Sequence, residues 1–174
     1  MKPFRRRIYA SPRALLRDLA SLLRGWRQIR DVMRGETLTA AFRERLMLAV
    51  TTVNGCRYCS YEHTRQALAQ GIPAAEIEAL CKGIVDYCPA QEHSALLYAQ
   101  HWAEMDAAPD PAVRQWVVDV YGSALVAEIE IVLEVIRFGN LAGNSLDYLL
   151  YRASFGRWGS PELRETCHPE SASG

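Results

Sequence analysis

Between Glu44 and His63 the chain reads E-x11-C-x2-C-x3-H, with Cys56 and Cys59 as the cysteine pair. Two thiols three residues apart can close and reopen a disulfide without rearranging the rest of the chain, which is what a reversible two-electron site requires. Cys56, Cys59 and His63 stand at i, i+3 and i+7 of a stretch that continues as SYEHTRQALAQG, with helical character, so all three project from one helix face. His63 is one turn beyond Cys59 and can take its proton, which makes Cys59 the candidate nucleophile. Cys56 stands at the helix mouth, placed to resolve an oxidised Cys59 or to exchange with a partner thiol. Zinc is the competing reading, since the same three residues could act as ligands. However, Cys81 and Cys88 form no second knuckle with metal-binding spacing, so neither a metal nor another cofactor is expected.

These residues must be positioned by helices, because no segment alternates convincingly as a strand. Leu15, Leu19, Leu22, Trp26, Ile29 and Met33 recur at steps of four and three and predict one amphipathic helix over about 12–33, ended by Gly35. Thr39 can cap a second helix, AAFRERLMLAVTTV, whose apolar residues lie all round the cylinder and predict burial. Glu44 is then a carboxylate on a buried helix, where desolvation favours its protonated form. It is either a proton relay or half of a buried ion pair with a neighbouring arginine.

Asn54-Gly55 tolerates left-handed backbone and predicts a break just before Cys56, which places the cysteines in the first turn of the third helix. Unpaired N–H groups and the helix dipole favour a thiolate there. Further helices are predicted from Pro73 to about Lys82, from Cys88-Pro89 to about Met105, from Asp110-Pro111 onward, and over about Ala124–Ala153. On the last, the spacing of Gly139 and Gly143 predicts close approach of another helix, expected at a subunit contact. The stripe Arg137, Asn140, Asn144 and Asp147 predicts a buried hydrogen-bond network. Cys81 and Cys88 read as packing residues, and Cys167 as an exposed bystander.

The 174 residues suit a single domain and are nearly half hydrophobic. The organisation expected is a basic arm over 1–37, a helical domain over 38–160 and a polar tail over 161–174. An odd count of five cysteines without a leader-like segment points to a cytoplasmic protein. Zero net charge hides an asymmetry: the first 34 residues hold ten Lys and Arg against Asp18 and Asp31, and the remainder is acidic to the same extent. Arm and body should therefore attract one another, so neither a nucleic acid nor a membrane is needed as partner. The nearly all-apolar helices 40–53 and 124–136 predict a homo-oligomer.

Glu44, Cys56, Cys59 and His63, followed by Ala67 and the break at Gly71-Ile72-Pro73, resemble the core of the AhpD-like alkylhydroperoxidases of the carboxymuconolactone decarboxylase superfamily. The likeness covers roughly residues 38–105. Decarboxylase members lack the cysteine pair, so its presence favours the peroxidase branch. The resemblance implies an all-α fold that assembles into oligomers with the site near a subunit contact. It implies that a hydroperoxide oxidises Cys59 to a sulfenic acid, and that Cys56 serves as proton donor and then closes the disulfide. Glu44 and His63 would relay protons, and a dithiol or protein thiol would reduce the product. The best-known members carry a second histidine between the cysteines; this chain has Tyr58. Two other functions fit the motif: a thiol–disulfide carrier serving a partner protein without peroxidase turnover, and a non-enzymatic helical assembly protein.

Overall fold

A computed structural model describes residue 4 and residues 6–35 and 37–159. Among these residues the chain forms eight α-helices and one 3-10 turn, with no strand, so the fold is all-α as the helical patterning predicts. The expected polar tail, with Cys167, lies outside the described residues.

The predicted first helix is two helices, α1 (Pro12–Arg24) and α2 (Trp26–Arg34). Gly25 separates them at φ −84° and ψ 4°, because a residue without a side chain weakens the helix at that point. Ser11 caps α1 by accepting the Ala14 amide at 3.2 Å. The predicted apolar face is only partly covered: Leu15, Leu22, Ile29 and Met33 are half-buried, whereas Leu19 and Trp26 face outward with Leu16 and Leu23.

Helix α3 (Ala40–Asn54) is the central element, capped by Thr39, whose hydroxyl accepts the Phe42 amide. Leu46 through Val50 are five consecutive buried residues, which at 100° per residue cover every side of the cylinder. Around it pack α4 (Arg57–Ala69), α5 (Ala74–Cys81), α6 (His93–Glu104) and α8 (Ser123–Ala153), while α7 (Pro111–Tyr121) braces α6 and α8. The helix predicted from Cys88-Pro89 begins as the 3-10 turn Ala90–Glu92 before α6. Helix α8 buries Val126, Ile129, Val132, Leu133 and Ile136 in sequence, and the same face then turns polar at Asn140, Asn144 and Asp147. Despite its 31 residues α8 carries several charges, and no helix among the described residues is long and apolar enough to cross a membrane.

Ion pairs and hydrogen bonds join the basic N-terminal segment to its own body. Arg6 pairs with Asp147, both side chains being almost fully buried, and Arg7 donates to the carbonyls of Ala103 and Glu104. The Tyr9 amide donates to Ser145 at 3.0 Å, and Asp18 of α1 meets Arg137 of α8 at 2.8 Å. The attraction expected from the charge asymmetry is thus realised in a few specific contacts, with no buried residue on α1.

Candidate active site

The turn between α3 and α4 shapes the site. Gly55 takes φ +71° and its amide closes on Thr51 at 2.8 Å, ending α3 in the left-handed conformation that glycine adopts at no steric cost. The chain then folds back, and Cys56 becomes the N-cap of α4 with the Cys59 amide donating to its sulfur at 3.3 Å. Cys56 and Cys59 are joined by a disulfide, their Cα atoms 5.3 Å apart. Cys56 is completely buried and Cys59 half-buried. This corrects the expectation that Cys56 is open to a partner thiol: α8 covers it, and Cys59 is the less buried of the two.

Glu44 and His63 meet across the same hairpin. At 1.5 Å per residue, Glu44 lies about 15 Å back from the turn along α3, and His63 about 12 Å out along α4, so folding one helix against the other sets them side by side. His63 Nδ1 stands 2.8 Å from Glu44 Oε2, with side-chain exposures of 15% and 10%. Among the described residues the ion-pair partner of Glu44 is His63 rather than an arginine. Arg45, next to Glu44, points to the other side of α3, where Nε meets Glu76 at 2.5 Å and Nη1 meets Glu92 at 3.3 Å. Burial opposes the Arg45 charge, but these two carboxylates outweigh it and raise its pKa. In Glu92 burial prevails over Arg45 and raises the carboxyl above its ordinary range.

Gly143 corrects a second expectation. A Cβ placed there would lie 3.2 Å from Cys56 Sγ and 3.9 Å from Tyr58 Cδ2, whereas one on Gly139 would meet nothing within 4 Å. The close approach that Gly143 permits is that of its own cysteine helix to α8.

The polar stripe of α8 completes the surroundings of the turn. Asn140 accepts from Asn54 at 3.1 Å and donates to Thr51 at 3.0 Å, and Asn144 donates to the Asn54 carbonyl and the Arg7 carbonyl, each at 2.9 Å. Asp147, fully buried, pairs with Arg6, with Arg57 at 2.8 Å and with the Tyr58 hydroxyl at 3.2 Å. Three of the four stripe residues form the predicted network, which ties the cysteine turn to α8 and to the N-terminal segment, whereas Arg137 pairs instead with Asp18 and Asp106. The contacts of Arg6 and Arg57 with Asp147 escaped sequence reasoning, because a polar stripe indicates that buried partners are needed without indicating which residues supply them.

Cys88 is the one free thiol among the described cysteines. It is buried, and desolvation with nearby Glu76 pushes its pKa up to about 12, against the opposing effect of Arg45. Cys81, read from sequence as a second packing thiol, is not a free one. Among the described residues no group of three or more His, Cys, Asp and Glu is arranged to hold a metal ion.

The profile of the carboxymuconolactone decarboxylase family matches residues 20–101, a span that contains Glu44, Cys56, Cys59 and His63. It begins at Ala20 rather than near residue 38, so α2 lies inside the shared region. No curated protein and no solved structure matches the chain. An all-α fold with a cysteine pair at a helix N-terminus thus accompanies a match to the carboxymuconolactone decarboxylase family over residues 20–101, a little under half of the chain.

Proposed function

We propose that this chain is a thiol-dependent peroxidase that reduces hydroperoxides through Cys56 and Cys59. The observation that carries the proposal is the 2.8 Å contact of buried Glu44 with His63, one turn after the less buried cysteine of a disulfide-forming pair. With Glu44 accepting from Nδ1, His63 keeps Nε2 as the nitrogen for proton transfer.

The reaction begins with the reduced pair. The Cys59 thiolate attacks the terminal oxygen of the hydroperoxide, the O–O bond breaks, and the departing alkoxide takes a proton through His63 and leaves as alcohol. Cys59 is then a sulfenic acid. The Cys56 thiol attacks that sulfur, the S–O bond breaks, water leaves, and the disulfide closes. A dithiol completes the cycle by attacking Cys59, the less buried of the pair, so that Cys56 departs as a thiolate. The Cys59 amide and the positive end of α4 stabilise that leaving group where it stands as N-cap. Two exchange steps return both cysteines to thiols and leave the dithiol oxidised.

Stopped-flow oxidation of the reduced protein by hydrogen peroxide and by an organic hydroperoxide, with mass spectrometry of the product, tests the proposal. The expected result is one disulfide formed per peroxide consumed, with turnover sustained by dithiothreitol. A pair that exchanges with dithiols and ignores peroxide would select the carrier function. An unreactive pair would leave only the assembly role.

A further inference from the structure

Arg57 and Tyr58 are the two residues between the cysteines, and both are held by one carboxylate on a distant helix. Asp147 Oδ1 accepts from Arg57 Nη2 at 2.8 Å and from the Tyr58 hydroxyl at 3.2 Å. The same Arg57 nitrogen reaches the Tyr58 hydroxyl at 2.6 Å, and the guanidinium lies 4.6 Å from the Tyr58 ring centroid. The other oxygen of Asp147 is taken by Arg6, more than a hundred residues away in sequence. We propose that Asp147 is a positioning residue for the cysteine pair, one that locks the first turn of α4 and makes the N-terminal segment, through Arg6, a determinant of thiol reactivity. This rests on the redox reading of Cys56 and Cys59.

The physical argument has two parts. A buried carboxylate with three partners fixes the geometry of the residues it holds, and here those residues include everything between the two sulfurs. Each guanidinium against Asp147 also offsets negative charge at the helix mouth, so losing either one removes a positive charge that acts with the dipole in favouring a thiolate. Among the described residues, the charged groups around the pair include Arg57, Asp147 and Arg6 at the mouth of α4, and His63 with Glu44 of α3 along its length. Arg6 lies in the segment ahead of α1, outside residues 20–101, so the cysteine turn is held from beyond the region shared with the family.

Two readouts test this without any peroxide, so the result stands apart from the fate of the peroxidase proposal. One is the pH dependence of Cys59 alkylation by iodoacetamide in the reduced protein, located by mass spectrometry; the other is the equilibrium of the disulfide with dithiothreitol. Removing one positive charge by Arg6→Gln should slow alkylation at pH 7 by about two- to fivefold, raise its pH midpoint, and shift the equilibrium toward the disulfide by a similar factor. Arg6→Lys should restore most of both. Arg57→Gln, at a side chain already 37% exposed, should act in the same direction and keeps the test available if Arg6→Gln does not fold. Combined with Arg6→Gln it should give less than the product of the single effects. If both single variants keep the wild-type midpoint and equilibrium, whatever happens to their melting temperatures, Asp147 is structural glue and the proposal is overturned.

Discussion

Replacing Gly143 and Gly139 by alanine in parallel measures how tightly α8 holds the cysteine turn. Both glycines lie inside α8, so each substitution removes the same backbone penalty, about 1 kcal/mol. Their surroundings differ. At Gly139 the new methyl meets nothing within 4 Å, and at Gly143 it comes to 3.2 Å from Cys56 Sγ. Ordinary contact is about 3.5–4.0 Å, so the sulfur or α8 must yield by several tenths of an ångström. Cys56 has little freedom to yield, being fully buried, the cap of α4 and bonded to Cys59. Overpacking of this kind costs about 1–3 kcal/mol. Gly139→Ala should therefore stabilise by about 1 kcal/mol, whereas Gly143→Ala should be neutral or destabilise by up to about 2 kcal/mol. At about 2–4 °C per kcal/mol for a chain of this size, the melting temperatures should differ by about 2–12 °C, with Gly139→Ala the higher. Calorimetry of the two oxidised variants reads the gap. Equal stabilisation at both positions would refute the packing of Cys56 on Gly143 and would revive Gly143 as a subunit contact.

In the peroxidase cycle proposed above, Cys59→Ser should abolish reaction with peroxide, and Cys56→Ser should permit one oxidation and leave a sulfenic acid trapped by dimedone; trapping at Cys56 in Cys59→Ser, with none at Cys59 in Cys56→Ser, would reverse the assignment. His63→Ala should slow the first step near neutral pH with partial recovery as pH rises, and Glu44→Gln should slow proton transfer while leaving thiol labelling unchanged; wild-type rates in both would remove the pair from the mechanism. Cys88, with its thiol pushed up to about 12, should resist alkylation at pH 8 until the protein unfolds. Since this value is raised by folding, its stabilising effect is complete below the ordinary thiol range and is lost as pH rises from about 9 toward 12, which alkaline melting curves of Cys88→Ala against wild type can read. The chain is proposed to self-associate, its outward Leu16, Leu23 and Trp26, each about 60% exposed, being one surface for a second copy. Light scattering showing a monomer at micromolar concentration would end that proposal, and salt-sensitive liposome binding lost on deleting residues 1–34 would give the stripe to a membrane instead.

Local chemistry made much of this protein legible in the chain itself. Thr39, Asn54-Gly55, Pro73 and Asp110-Pro111 each act on the backbone within a few residues, so helix boundaries could be read without tertiary information. The all-round apolar pattern of 40–53 likewise demanded a central helix, since only burial on every side suits it. The spacing of Cys56, Cys59 and His63 depends on one helix alone and was fully visible. Gly25 and the 3-10 turn at 90–92 were not, because a helix can bend or tighten at little free-energy difference from continuing straight. What only the tertiary structure decided were the pairings across elements. Glu44 could have met an arginine or His63, and the angle of the α3–α4 hairpin brought it to His63 while Arg45 went to Glu76 and Glu92. Gly143 could have faced another subunit or its own chain, and the packing of α8 set it against Cys56. Asp147 needed cationic partners, but any of the ten basic residues near the N-terminus could have served, and only the path of the chain over α8 brought Arg6 to it. Sequence patterns record the demand of a buried polar group for partners; which groups meet that demand is a matter of distances that the fold alone sets.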